Sequence, residues 1–455
     1  MRFANSLSIG LACSIFLSAC GSSSGDSDKQ CSKETIHKHW YQTLQQDYLW
    51  NNELGSPRRT YATYLDSNDL LNDVLPYKDR FSVALSSDDW QDAIAGNNFG
   101  FGIELAAASS SRLVVVQSFN DSAASNAGIE RGNEIVSIGN LSGSTLASYL
   151  RAGNYTAYSN AFGPDQNGYE LEFVWRDNNG AQQTTTLKKS EYKVNTVTST
   201  EVIDSNAGKI AYLGFQNGFL EPSPAELAAA FSYFDSQSFN HFVLDLRGNT
   251  GGIVSVAAEL ALYLAGEKIY NKIFLEFEFN QNNAEMGGYV RTEEFIYTER
   301  NGSITQHINF IRQKSLNLDS IIVLTNSSSA SASEVLINSL EPYMQVTTIG
   351  ESTYGKPVGF IPEEYCDETL LAVNFQTNNA NGFGDYLNGL SPDCPVTESS
   401  NIYPWTSLQD PIFAKAVSYV ENGNSCSATL SRPLSDEPII LAPSNKPQGM
   451  WLERN

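Results

Sequence analysis

The sequence predicts an α/β protein: a mostly parallel sheet covered by helices, entered through a β-rich unit and a small helical region. Three observations carry this. From Lys209 onward, apolar runs of strand length alternate with helix-length stretches, the pattern of successive βαβ units. Between Asn98 and Ser190 the segments are short, β-rich and punctuated by glycines. Between Glu34 and Val74 the apolar residues recur at helical spacing, with Trp40, Tyr41, Leu44, Tyr48 and Leu49 in the first stretch.

In chain order, residues 1–19 read as a signal peptide. Arg2 precedes an apolar run, Leu7–Leu17, too short to span a bilayer. The run ends in Leu17-Ser-Ala-Cys20, which resembles the bacterial lipobox and implies cleavage before Cys20 and a lipid on it. Residues 20–30 then form a flexible tether through Gly21-Ser-Ser-Ser-Gly25. Residues 31–95 are expected as a helical cap. His37 and His39 lie two apart, which places them off a common helical face, so no metal is expected there.

In the β-rich unit, Gly100-Phe101-Gly102-Ile103 precedes the alternating strand Arg112–Val116, and Ala127-Gly-Ile-Glu-Arg-Gly-Asn-Glu-Ile-Val136 follows. These motifs resemble PDZ domains over residues 98–190. A glycine-flanked run of amides can nest an anion, and a strand edge beside it can accept a peptide. The resemblance implies that Gly100, Phe101, Gly102 and Ile103 bind a peptide's terminal carboxylate.

In the core, residues 195–435, strands are predicted at Ile210–Phe215, Phe242–Leu246, Ile321–Thr325 and Val346–Ile349. Helices are predicted at Pro224–Asp235, Ile253–Ala265 and Ser331–Leu340. The acidic, aromatic stretch Tyr270–Gln306 reads as an insertion or extended ribbon. Residues 436–455 are a C-terminal tail.

The 455 residues carry a formal net charge of −23, which excludes nucleic acid and anionic lipid as partners. Any membrane contact is expected through the lipid anchor alone. Export leaves Cys31, Cys366, Cys394 and Cys426 to pair in an oxidising compartment. Of the three possible pairings, Cys366–Cys394 with Cys31–Cys426 is preferred, because the first pair would close one loop-rich excursion. No Cys/His cluster suggests a metal.

The chemistry concentrates between Asn326 and Lys356. A small-residue turn, Asn326-Ser-Ser-Ser-Ala-Ser-Ala-Ser-Glu334, feeds a helix, and the turn Gly350–Lys356 follows the next strand. Such an arrangement can bring a serine hydroxyl to a lysine amine without a histidine. A lysine base needs burial to lower its pKa, and Tyr354, Pro357, Val358 and Phe360 supply an apolar setting. Ser331-x-x-Glu334 is equally a capping box, and Lys356 taken by itself reads more often as a solvated turn lysine. Gly350-x-x-x-x-Gly355-Lys356 copies a phosphate-binding loop except at Pro357, which offers neither hydroxyl nor N–H, so that reading is set aside. Ser190-x-x-Lys193 fits the Ser-x-x-Lys of penicillin-binding enzymes without their companion motifs.

Residues 209–365 resemble the tail-specific, or C-terminal processing, serine peptidases. The matching motifs, in order, are Asp245-Leu-Arg-Gly-Asn-Thr-Gly-Gly252, Ser329-Ala-Ser-Ala-Ser-Glu334 and Gly350-Glu-Ser-Thr-Tyr-Gly-Lys356. The resemblance implies a crotonase-like core, a Ser331/Lys356 dyad and no cofactor. It also implies an oxyanion site from the amides of Ala332 and of Gly251 or Gly252. It selects Ser331 over Ser329 and Ser333, which spacing alone cannot do. One departure stands out: Phe360 occupies the place of a glutamine that orients the lysine in better-known members. Thr353 and Glu334 are the candidate replacements, and Asp245 with Arg247 is expected to hold the glycine turn. The expected function is a lipid-anchored serine endopeptidase of the bacterial envelope. It would lie at the outer membrane, face the periplasm and act on polypeptides with accessible C-termini. The alternative is a catalytically silent homologue that captures C-termini. Oligomeric state and substrate identity are left open.

Overall fold

The computed structural model describes residues 31–296, 303–399, 401–426, 439–442 and 449–451. The signal peptide, the tether, Cys20 and most of the tail lie outside the described residues. No helix among the described residues is long and apolar enough to cross a membrane.

The N-terminal region folds as α1 (Lys33–Asp47), α2 (Ser67–Val74), β1 (Val83–Ser86) and α3 (Ser87–Ile94). Each helix is started by a side-chain cap: Ser32, Asp66 and Ser86 accept from the first-turn amides of Thr35, Asp69 and Asp89. The region is not a separate cap. Trp40, Leu44 and Tyr48 sit in the same hydrophobic cluster as the core helices, and Trp40 Nε1 donates to Glu368 at 2.9 Å.

The β-rich unit comprises β2 (Asn97–Gly100), β3 (Ile103–Ala107), β4 (Leu113–Ser118), α4 (Ala123–Asn126), β5 (Glu134–Ile138), β6 (Leu141–Ser142), α5 (Gly143–Arg151), α6 (Tyr155–Asn160), β7 (Glu170–Arg176), β8 (Gln182–Lys188) and β9 (Ser190–Lys193). It has its own core of Phe101, Leu105, Ile135, Leu146, Phe173 and Trp175. The β2–β9 pair closes its neck.

The remaining elements are β10 (Ser199–Ser205), β11 (Gly208–Gly214), α7 (Ser223–Asp235), β12 (His241–Asp245), β13 (Gly251–Ile253), α8 (Val254–Ala265), β14 (Ile273–Phe279), β15 (Gly288–Arg291), α9 (Ile304–Lys314), β16 (Ser320–Thr325), α10 (Ala332–Leu340), β17 (Gln345–Gly350), β18 (Val358–Phe360), β19 (Glu363–Tyr365), β20 (Glu368–Leu371), β21 (Val373–Asn378), β22 (Cys394–Pro395), α11 (Pro411–Glu421), β23 (Ile440–Leu441) and β24 (Gly449–Trp451). Most of the strands build two sheets, ordered β10-β11-β12-β16-β17-β22 and β13-β24-β18-β21-β14-β15, while β19 and β20 join β1 and β23 joins β3. The first is parallel from β11 onward. Its central strands are continuous apolar runs because both faces are covered. Every residue of α8 except Ser255 is buried, which makes it the central helix of the layer. The Tyr270–Gln306 stretch contributes a hairpin, β14–β15, that extends the second sheet.

Two expectations are corrected. Residues 31–95 are not purely helical, since β1 pairs with β20 of the core (Val83↔Leu371 to Ser86↔Glu368) and knits the two regions together. The disulfides are Cys31–Cys366 and Cys394–Cys426, not the preferred pairing. Cys366 lies in the turn between β19 and β20, in the sheet that contains β1, whereas Cys394 on β22 lies at the edge of the parallel sheet. Non-reducing peptide mapping is expected to recover these two linked pairs; a Cys366–Cys394 peptide would contradict the topology.

Candidate active site

The loop before α10 is stapled to the glycine turn after β12. Ser329 Oγ donates to Leu246 O at 2.8 Å and Ser333 Oγ to Asn249 O at 3.0 Å. Ala330 N also donates to Asn249 O. Two of the three candidate serines therefore spend their hydroxyls on holding the turn. Ser331, between them, has a fully buried hydroxyl with no hydrogen-bond partner. It does not cap the helix through its side chain, so the capping-box alternative holds only for the reciprocal bond, Ser331 N to Glu334 Oε2 at 2.7 Å.

Ser331 also has φ 60° and ψ −113°, a conformation that L side chains avoid and that costs about 1–3 kcal/mol. The stapled loop imposes it.

Glu334 organises the rest. Its carboxylate is buried and accepts from Ser331 N, from Gly355 N at 2.7 Å, from Lys356 N at 2.8 Å and from Thr353 Oγ1 at 2.5 Å. Thr353 in turn accepts from Leu390 N at 2.7 Å. One carboxylate thus fixes the backbone of both the candidate nucleophile and the candidate base. Burial lifts its pKa above the usual carboxylate range, and the four donors act against that lift. Gly355 has φ 88°, and a Cβ there would meet Leu387 O at 2.4 Å, so the turn before the lysine accepts no other residue.

Lys356 is 1% exposed. Its amine lies 3.8 Å from the centroid of Phe360 and 5.3 Å from that of Phe81. Burial pulls its pKa well below the lysine range; the charges of Asp79 and Glu334 raise it, and that of Arg80 lowers it further. The solvated-turn reading of Lys356 is thereby excluded.

Arg247 is held by Asp245 (2.6–3.1 Å) and by Asp410 at 2.8 Å, all buried. This fits the positioning part expected of the Asp245/Arg247 pair. Gly252 has φ 140°, and a Cβ would lie 2.1 Å from Phe219 O. One expectation is revised here: the Gly251 N–H donates to Asn249 Oδ1 at 3.0 Å, which removes it from the oxyanion set in this conformation. The helix expected from Ser331 begins one residue later, with Ser331 as its N-cap and Ala332 as the first residue of α10, so the Ala332 amide sits in the first turn.

Sequence reasoning missed Asp79-Arg80-Phe81. Arg80 Nη2 donates to the carbonyls of Tyr354 and Gly355, both at 3.1 Å, and of Leu387 at 3.2 Å. Nothing local marks this tripeptide, because its position follows from a fold-back across most of the chain. The Gly100–Ile103 loop lies elsewhere, on the β-rich unit. It borders a cavity of about 1920 Å³ that also reaches Gly248, Thr250 and Asn326.

Residues 206–396 match the family model described as Peptidase family S41. The chain is 24% identical over 340 residues to the carboxyl-terminal-processing peptidase 3, chloroplastic, of Arabidopsis thaliana, covering 70% of this chain and 57% of that one. It is 25% identical over 187 residues to the carboxy-terminal processing protease CtpA of Bacillus subtilis, covering 41% and 34%. The chain thus spans little more than half the length of such relatives, or less. A Bacteroides fragilis crystal structure assigned to the S41 proteases superposes with a TM-score of 0.64 at 21% identity, over 84% of this chain and 97% of that one, a likeness of fold. On these grounds residues 206–396 of this chain are similar to the peptidase family S41 domain.

Proposed function

We propose that the protein is a serine endopeptidase acting through Ser331 and Lys356. The observation that carries this reading is the shared carboxylate. Glu334 binds the backbone amides of a buried, unbonded hydroxyl residue and of a buried, aromatic-boxed lysine. A structural loop has no need of either side chain in that state.

In the proposed reaction Ser331 Oγ attacks a peptide carbonyl carbon while the neutral Lys356 amine takes the hydroxyl proton. The resulting oxyanion is held by the Ala332 amide in the first turn of α10, with Gly252 as its glycine partner. Collapse breaks the C–N bond, and the lysine returns its proton to the leaving amine. Water, deprotonated by the same lysine, then attacks the acyl carbon, and the lysine returns that proton to Ser331 Oγ as the ester bond breaks. Glu334 and Thr353 act as positioning residues, and the Phe360 and Phe81 rings take the orienting place of the family's glutamine.

The β-rich unit is proposed as a PDZ domain that recruits polypeptides by their C-termini at Gly100–Ile103. The carbonyls of Phe101 and Gly102 are spent on Ala124 N and Phe119 N, which leaves the amide side of the loop for a carboxylate. A lipid on Cys20 and an envelope location complete the reading, on the resemblance of the N-terminus to a lipoprotein signal. The silent-homologue reading is weaker, because the aromatic box supplies what the missing glutamine would.

Ser331→Ala and Lys356→Ala are expected to lower kcat/KM on an unfolded protein substrate by about 10³-fold or more. A fluorophosphonate should label Ser331 in the parent and not in the first variant. Cleavage at the parent rate by both variants would sink the dyad. In the parent, kcat/KM should rise with pH through an apparent pKa well below 10.4, as the lysine loses its proton.

Two stability changes follow from the same geometry. Ser331→Gly should be more stable than Ser331→Ala by about 1 kcal/mol, since glycine tolerates φ 60°. Between the folded pKa of Lys356 and about 10.4 the unfolded chain binds one more proton, so stability rises with pH across that window and is lost as pH falls. Lys356→Met should remove that slope and raise the melting temperature at neutral pH, as read by calorimetry.

A further inference from the structure

Ser331 and Lys356 are sealed: their relative exposures are 0% and 1%. Part of what lies against the surrounding backbone is the chain's own C-terminal segment. Ile440–Leu441 adds antiparallel to β3, pairing Ile440 with Ala107 and Leu441 with Ala106. The Ala442 N–H donates to Leu105 O at 2.9 Å. β3 is otherwise an edge strand, since its only other neighbour is β4. The direction matters. As the tail advances it passes from Ala107 toward Leu105, heading for the Gly100–Ile103 loop, as a peptide presenting its C-terminus there would.

Further on, the tail reaches the peptidase core. Gly449–Trp451 lies between β13 and β18, parallel to both, with Met450 opposite Gly252 and Gly359. β13 starts at the glycine turn, and β18 starts two residues after Lys356. The tail backbone therefore runs along the two segments that flank the proposed dyad. Ile439, Leu441 and Ala442 also line the cavity that joins the β-rich unit to Gly248 and Thr250.

We propose that residues 439–442 and 449–451 occupy the protein's own peptide path, so that an incoming polypeptide must displace the tail from β3 before it reaches Ser331. This rests on the peptidase reading for its consequence, but not for the occupancy itself. The tail departs from Cys426, which is pinned to β22 by the Cys394 disulfide. A tether of this kind gives an effective concentration on the order of millimolar, enough to outcompete a peptide of equal intrinsic affinity supplied at micromolar levels.

The test uses the full-length chain with Ser331→Ala, and a fluorescein-labelled synthetic peptide of residues 439–451 read by anisotropy. The parent form should bind the peptide weakly. Adding Ala442→Pro, which deletes the N–H received by Leu105, should tighten binding at least about tenfold. Leu441→Lys, at a half-exposed position, is a second route to the same release if the proline variant melts early. With Ser331 restored, the releasing substitutions should raise hydrolysis of a fluorogenic peptide several-fold. Unchanged peptide binding in variants with an intact circular dichroism spectrum would overturn the proposal, as would a fall in binding. Tightened binding without any hydrolysis would keep the tail occupancy and reject the peptidase reading instead.

Discussion

The structure around the site depends on one buried carboxylate. Glu334 sits in the first turn of α10, where the orphan amides of a helix start would favour its negative charge. It spends that charge on Ser331 N, Gly355 N, Lys356 N and the Thr353 hydroxyl. A buried carboxylate costs several kcal/mol to desolvate unless its acceptor sites are filled. Four donors fill them, and they come from two loops separated by a helix and a strand. The loops cannot drift apart without exposing an unsatisfied charge. A carboxylate that began as half of a helix cap thereby becomes the joint between the backbone of Ser331 and that of Lys356, the proposed nucleophile and base.

A second buried charge cluster does the same for the opposite wall. Arg247 reaches Asp245 and Asp410 with no exposure to solvent, and its guanidinium lies 4.7 Å from the Trp405 ring centroid. It ties the glycine turn to the N-terminus of α11, where Asp410 is also the helix cap. The glycine turn and the serine loop are then fixed independently, and Ser329 and Ser333 lace them together. Pre-organisation of this kind is what an oxyanion site requires, since donors must already face the developing charge.

The parallel core was legible because each of its elements satisfies one strong local rule. The strands His241–Asp245 and Ser320–Thr325 have continuous apolar centres, and α8 is apolar apart from Ser255 and Glu259; such patterns admit few alternatives. The motif residues were legible for the same reason: Gly252 and Gly355 stand where no Cβ fits. What stayed illegible is long-range. The entry of β1 into the core through β20, the Cys31–Cys366 pairing and the placing of Asp79-Arg80-Phe81 over the lysine all join residues hundreds apart. No local pattern encodes such contacts. The engagement of Gly251 by Asn249 was missed for a different reason, since a two-residue side-chain turn competes with a ligand for the same N–H.

The aromatic box around Lys356 raises a question of sign that magnitudes answer. A ring face favours the charged amine, by about 2 kcal/mol where the pair is desolvated. Asp79 and Glu334 favour it as well. Against them stands the cost of burying an ammonium, several kcal/mol even after relaxation, with Arg80 adding repulsion. Burial is the largest of these effects, so the balance shifts toward the neutral amine. A glutamine would orient the lysine through a hydrogen bond to its N–H groups, and that bond strengthens when the amine is protonated. Here the Phe360 ring lies 3.8 Å from the amine instead. The substitution exchanges a polar contact for a stronger desolvation, and a neutral amine is the form that a general base requires.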